Sequence, residues 1–506
     1  MRIPVSSIGA LLASAALAGC GHAAATTTSS STGHGAGGGG AGGGGAGGAT
    51  TAGSGGTGGG VAPDAGSPWG TFDTPFAADS LWNSYPVNPV LGDYQIPPTP
   101  MPSYFPVIGG GAYSTAAFLA SDTDPPVTVL GDTGTANPSC SDLLGPCPVT
   151  IPHWPASVDP ATGTDGHADI IDVSAGIIHS FWQLKKDAQG VWRATQYAWS
   201  PLAGSGWGDP AHFSQGARAA GVCSIAGVLR ISEASDGADM FHHAVAMSLD
   251  GSAMLSGFVF PATLQDSDAA TAYSGGIPMG SLLMLPSTFD TSAITSPGLL
   301  KVIKTLQVYG ARIVDTNSGT PFVIYVENGS TFTVSTKGPG VWDTTVENQL
   351  FDIARALRPM TGSAGFIDGN GKAFTPSENL NRMSMRGPWS AVTDGGAFDS
   401  WRQALVFPAT TTAVAQTQTD STWDFRMSWA PWTAAASYRF SVAATGGAKL
   451  GIQFKDAKFN TLLDTGSLGD GEATTFVMPV DDGYPILVAT SGVGAGSTVG
   501  GTLVAE

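Results

Sequence analysis

Charge is scarce in this chain. Only 12% of its 506 residues are charged, about half the roughly 25% usual for a soluble domain. Basic residues are the scarcer sign, 21 Lys and Arg against 39 Asp and Glu. The resulting net charge of −18 repels phosphate backbones and argues against nucleic acid as a partner. No run of 18 apolar residues occurs, so no segment reads as a membrane-spanning helix. No G-x-S-x-G elbow and no G-K-[ST] loop is present, so an α/β-hydrolase and a P-loop site lack motif support. Classical zinc spacing is missing too. Asp368-Gly369-Asn370-Gly371 is turn chemistry without the ligand series of a calcium loop. No motif requires a metal or a cofactor.

Glycine is plentiful, 71 residues, but unevenly spread. Eighteen of them fall between Gly33 and Gly60, with no G-X-Y period, which excludes collagen. The N-terminus reads as an export signal over residues 1–19. Arg2 supplies its positive end and Ile8–Leu17 its short apolar run. Leu17-Ala18-Gly19-Cys20 resembles the lipobox of bacterial lipoproteins. That resemblance implies cleavage before Cys20, its acylation, and, with Gly21 rather than Asp next, anchoring in the outer membrane. Residues 20–66, rich in Gly, Ala, Ser and Thr, then form a disordered tether with a reach of roughly 35–40 Å. Of the remaining cysteines, Cys140 and Cys147 flank a short Pro/Gly loop and suit a local disulfide in an oxidising compartment. Cys223 sits among apolar residues as a small buried hydrophobe.

From residue 67 onward, Pro and Gly punctuate short apolar runs such as Pro126–Leu130, Ile170–Val173, Ile177–Trp182, Pro321–Val326 and Thr331–Val334. This is the pattern of a mainly β protein. Two helices interrupt it. One opens at Ser296-Pro297 and closes at Gly310. The other opens with a Thr344-x-x-Glu347 capping box and stops before Pro359. The expected architecture is a central β-rich domain over 67–362 and a C-terminal antiparallel β-sandwich over 363–506. In the latter, Tyr438, Phe440 and Val442 alternate with Arg439 and Ser441. Its texture resembles the jelly-roll carbohydrate-binding modules.

The six histidines outside the tether all lie between His153 and His243, where proton transfer near neutral pH would be sought. Asp165-Gly166-His167-Ala168-Asp169 enters a strand, so alternation places His167 and Asp169 on one face. Asp239-Met240-Phe241-His242-His243-Ala244 enters another, and in a strand only one of its histidines would face a cleft. Trp82, Trp182 and Trp207 are candidate sugar-stacking residues.

Leu81-Trp82-Asn83, Asp165-Gly166-His167, Ala219-Ala220-Gly221, Val228-Leu229-Arg230, His243-Ala244, Pro278-Met279-Gly280 and Tyr309-Gly310 with Asp315 after it occur in an order similar to that of a widespread set of exported bacterial proteins. The resemblance covers residues 76–330 and favours His243 over His242. It implies architecture and positions rather than a reaction.

Two functional readings follow. In the first, a surface lipoprotein degrades extracellular polysaccharide as a glycoside hydrolase or lyase. Hydrolysis would draw two carboxyls from Asp165, Asp169, Asp172, Asp209 and Asp239. Elimination would use His167 or His243 as base, Tyr309 as proton donor, and Arg218 or Arg230 to neutralise substrate charge. Trp82, Asn83, Trp182 and Trp207 would hold the glycan. In the second, the protein binds glycan without catalysis and its histidines are structural. Convergence of His167 and His243 on one open, aromatic-lined groove would favour the enzyme. His167 and His243 lying on separate faces, or sealed in the core, would favour the binder.

Overall fold

The computed structural model describes residues 68–99, 104–131, 149–208, 210–384, 389–390, 397–399, 403–417, 428–480 and 483–506. Cys20, Cys140, Cys147, Asp209 and the tether lie outside the described residues. The described chain is mainly β, with three α-helices among its many strands.

A mixed seven-stranded sheet is central. Its order is Val90–Leu91, Arg358–Gly362, Leu282–Met284, Ala311–Asn317, Val245–Asp250, Phe322–Tyr325, Val107–Gly109. Val245–Asp250 runs parallel to Ala311–Asn317 and antiparallel to Phe322–Tyr325, and all six of its residues are buried. Helix Pro297–Val308 packs Leu299, Val302, Ile303 and Leu306 into the same core. Its start follows the local code: the Ser296 hydroxyl accepts from the Leu299 amide at 3.1 Å, and Gly310 leaves at φ +74. Helix Thr344–Ala356 differs from expectation at one position. Its N-cap is Asp343, whose carboxylate accepts from the Val346 amide, so the capping side chain precedes Thr344.

A four-stranded sheet, Gln196–Pro201, Ile177–Trp182, Ala168–Asp172, Ala117–Ala120, is covered on both faces. Ile171 and Ile178 join the core of the seven-stranded sheet. Ala168, Ile170 and Phe181 join a second core, shared with Val129, Val149 and Trp154. The alternation expected for this strand is present, but neither face meets solvent. Thr331–Val334 is not a strand. The Ser330 and Thr333 hydroxyls accept from the amides of Phe332 and Ser335, a local competition that displaces ladder bonding.

C-terminal to these, a six-stranded and a four-stranded sheet form a sandwich. In Ser437–Thr445, Tyr438, Phe440 and Val442 are buried while Arg439 is exposed, and Leu450, Ile452, Phe454 and Leu503 complete that core. Phe366 and Phe374 pack with the first core, and the sandwich core begins at Met383. Both cores lie in one compact unit.

Candidate functional site

Where strand Val245–Asp250 begins, three backbone bonds gather distant segments. The Ala244 amide donates to Trp82 O at 2.8 Å, Ala246 to Gly227 O at 2.7 Å, and Val245 to Gly310 O at 3.1 Å. Above them lies a hollow of about 90 Å³. Trp69, Phe76, Trp82, Asn83, Arg230, Glu233, His242 and His243 are among its walls. The two histidines precede the strand rather than lying in it, so both reach the same hollow.

Its floor is a chain of paired charges. In Arg230, Nε donates to Glu327 Oε2 at 2.9 Å and Nη1 to Phe72 O at 2.6 Å. Glu327 also accepts from the amides of Ile231 and Ala117. Glu233 closes a short 3₁₀ turn, Ile231–Glu233; its carboxylate accepts from the Arg230 amide at 2.9 Å. It also meets His243 Nε2 at 3.1 Å, and His243 Nδ1 lies 2.9 Å from Ala244 O. Facing a carbonyl and a carboxylate at once, this ring is satisfied only with a proton on each nitrogen. Burial opposes that charge, but Glu233 and the Ala244 carbonyl outweigh it, and the imidazole titrates above its usual range. Burial likewise opposes ionisation of Glu233, and the charge and hydrogen bond of His243 overcome it, holding the carboxyl below its usual range. Lys301, from helix Pro297–Val308, braces the turn through Glu233 O at 2.8 Å.

The apolar wall is Trp82. It stacks on Trp207 with centroids 4.8 Å apart and planes within 2°, and both rings are buried. Neither ring is therefore an open sugar platform, contrary to the expectation from sequence: Trp207 is core support, and Trp82 borders the hollow from within the core. Asn83 is also committed, its Nδ2 donating to Pro75 O and Ala77 O at 2.9 Å. Phe76 lines the hollow with a left-handed backbone at φ +73, a strained state for a bulky residue that clusters at ligand sites. Trp69 is half-buried, with its indole N–H on Asn370 Oδ1 at 2.8 Å. His242 is exposed and stands edge-on to Tyr309 with centroids 6.4 Å apart. Tyr309 is itself buried, and that burial, then Tyr85, raises its hydroxyl above the usual range.

Asp165, His167, Asp169, Trp182 and Arg218 gather elsewhere, in a polar seam. His167 is 1% exposed, with Nδ1 3.0 Å from Ser224 Oγ. Burial and the Arg218 charge push it well below its usual range, so it is neutral. Burial pushes the Asp169 carboxyl up to about 6 against Ser180 and the backbone at Ile225 and Ser224. Arg218 pairs with Asp315 at 3.0 Å and lies 4.0 Å over the Tyr325 ring. Burial raises Asp315 to about 6, with Arg218 opposing. Trp182 Nε1 donates to Asp165 Oδ1 at 3.3 Å.

His167 does not line the hollow that His243 lines. Shielding of its ring by strands on both sides replaces the shared open groove expected for an enzyme. Of the other candidate carboxyls, Asp172 pairs with His153 at 2.7 Å and Asp239 with Lys304 at 2.7 Å. Among the described residues, no three His, Cys, Asp or Glu side chains are grouped to hold a metal ion. Cys223 is buried, and burial raises its thiol well above the usual range. Sequence reasoning missed Trp69, Phe76 and Glu233. Only Glu233 carried a signal, its one-turn spacing from Arg230.

No protein-family model and no curated protein sequence matches the chain. Partial similarity exists to the glycosylation-associated Gap123 complex of Streptococcus agalactiae, at 13% identity over 20% of this chain and 36% of that one, TM-score 0.16. A CBM4 structure aligns at 15% identity over 20% of this chain and 82% of that one, TM-score 0.13. A glycoside hydrolase family 43 arabinoxylan arabinofuranohydrolase of Bacillus subtilis, in complex with cellotetraose, aligns at 11% over 75% and 98%, TM-score 0.15. The chain thus spans about a third of the first. Scores this low carry no argument about its function.

Proposed function

We propose that this chain is an exported, lipid-anchored protein that binds neutral glycan without turning it over, using the hollow beside His243. One observation carries the reading: the hollow is walled by aromatic rings, while its His243, Glu233 and Arg230 are already bonded to one another or to fixed partners. A general base needs a free lone pair and a general acid a proton to spare. Doubly bonded imidazolium and an ion-paired carboxylate instead make a fixed polar floor beneath apolar walls, the combination that receives a sugar ring's edge and face. A net charge of −18 favours neutral over anionic glycans. The lipobox at Cys20 and the tether after it would hold the domain clear of an outer-membrane surface.

The test is affinity electrophoresis of the full chain through gels containing plant, algal or microbial polysaccharides. Retardation by a neutral polysaccharide, reduced in Trp69→Ala, is the expected result. Reducing ends or unsaturated sugars released from that polysaccharide, and lost in His243→Gln, would establish the enzyme instead.

A further inference from the structure

Between the first core and the sandwich lies a second cavity, of about 230 Å³, more than twice the hollow. Phe258, Phe260 and Thr263 line it on one side, and Glu378, Arg382 and Pro431 on the other. We infer that this crevice is a saccharide subsite for a neutral sugar residue, an inference that rests on the glycan-binding reading and extends it to a second position.

Three features point there. Phe258 and Phe260 remain 40% and 38% exposed. Apolar surface gathered at a cavity is the kind of patch that receives a ligand, and a sugar's C–H face suits an aromatic ring. Arg382 Nη1 donates to Pro431 O at 2.8 Å. Its Nε is shielded from solvent and has no hydrogen-bond partner among the described residues, and Nη2 reaches Glu378 Oε1 only at 3.5 Å. Of these nitrogens Nε alone lacks a partner among the described residues, and the long Nη2–Glu378 contact is the one that a polar ligand in the crevice can compete for. Glu378, 52% exposed, offers acceptors beside it. Two neighbouring ring hydroxyls, one accepting from Arg382 and one donating to Glu378, would satisfy both. A sugar carboxylate would meet Glu378 at close range, which selects against anionic residues.

Isothermal titration of the full chain with cellohexaose, xylohexaose, mannohexaose and maltohexaose tests this, with Phe258→Ala, Arg382→Lys and Trp69→Ala alongside. Thermal midpoints of all variants identify any that misfold; Phe258 is exposed, so its truncation leaves the fold intact. The expected result is that Phe258→Ala and Arg382→Lys each weaken binding of the recognised hexasaccharide about five- to tenfold. Parent-like affinity in both, with Trp69→Ala weakened, overturns the subsite and leaves the hollow standing. Weakening by Phe258→Ala with no effect of Trp69→Ala supports the subsite and removes the hollow. No heat from any of the four probes with the parent chain overturns both.

Discussion

His243 differs from an ordinary surface histidine in having both ring nitrogens opposite oxygen acceptors. The sign of its pH dependence follows. Its pKa is raised above 6.5, so its contribution is fully present below about 6.5 and fades as pH rises through the higher folded value. The Glu233 pKa is depressed below 4.5, so its contribution is present above about 4.5 and fades as pH falls through the lower folded value. The pair is strongest between those two limits. His243→Gln is expected to cost about 1–2 kcal/mol near pH 6 and distinctly less near pH 9, measured by urea unfolding. An equal cost at both would mean that the ring is not charged in the fold. Asp169 behaves oppositely. Raised from 3.8 to about 6, it penalises the folded state as pH climbs through that interval, on the order of 2–3 kcal/mol for a shift of about two units. Relative to the parent chain, Asp169→Asn is therefore expected to gain stability on going from pH 4.5 to pH 8. A pH-independent difference would contradict the assigned burial.

The hollow depends on how tightly its segments close on Trp82. Gly227 sits at φ +67, and a Cβ there would fall 2.3 Å from Trp82 Cζ3. Gly227→Ala is expected to destabilise by about 2–4 kcal/mol through overpacking and backbone strain, with an altered tryptophan fluorescence spectrum. A loss under about 0.5 kcal/mol would show that the Trp82–Trp207 stack yields freely. Elements governed by neighbouring residues were legible in the sequence. Ser296-Pro297 and Gly310 bound their helix because capping is local, and Ser437–Thr445 alternates because one side of it meets solvent. His167 and Asp169 were not legible as core residues. Polar side chains suggest a rim, and only the packing of two layers over strand Ala168–Asp172 shows otherwise. Trp69 and Phe76 belong to a segment without periodicity, and their role comes from contacts with positions more than a hundred residues away.

For the whole molecule, a net charge of −18 disfavours polyanionic partners on electrostatic grounds. The anchoring proposal has its own check. The parent chain expressed in a bacterial host with an alkyne-tagged fatty acid is expected to carry label, and Cys20→Ser to carry none. Label retained in Cys20→Ser would refute the lipobox.

Binding without turnover is the central claim, and a single incubation addresses it most directly. The full chain is mixed with the neutral polysaccharide that retards it most, and bound protein and released sugar are followed together for a day. Saturable binding with no product is the predicted result. Product that accumulates with time and disappears in His243→Gln would contradict it.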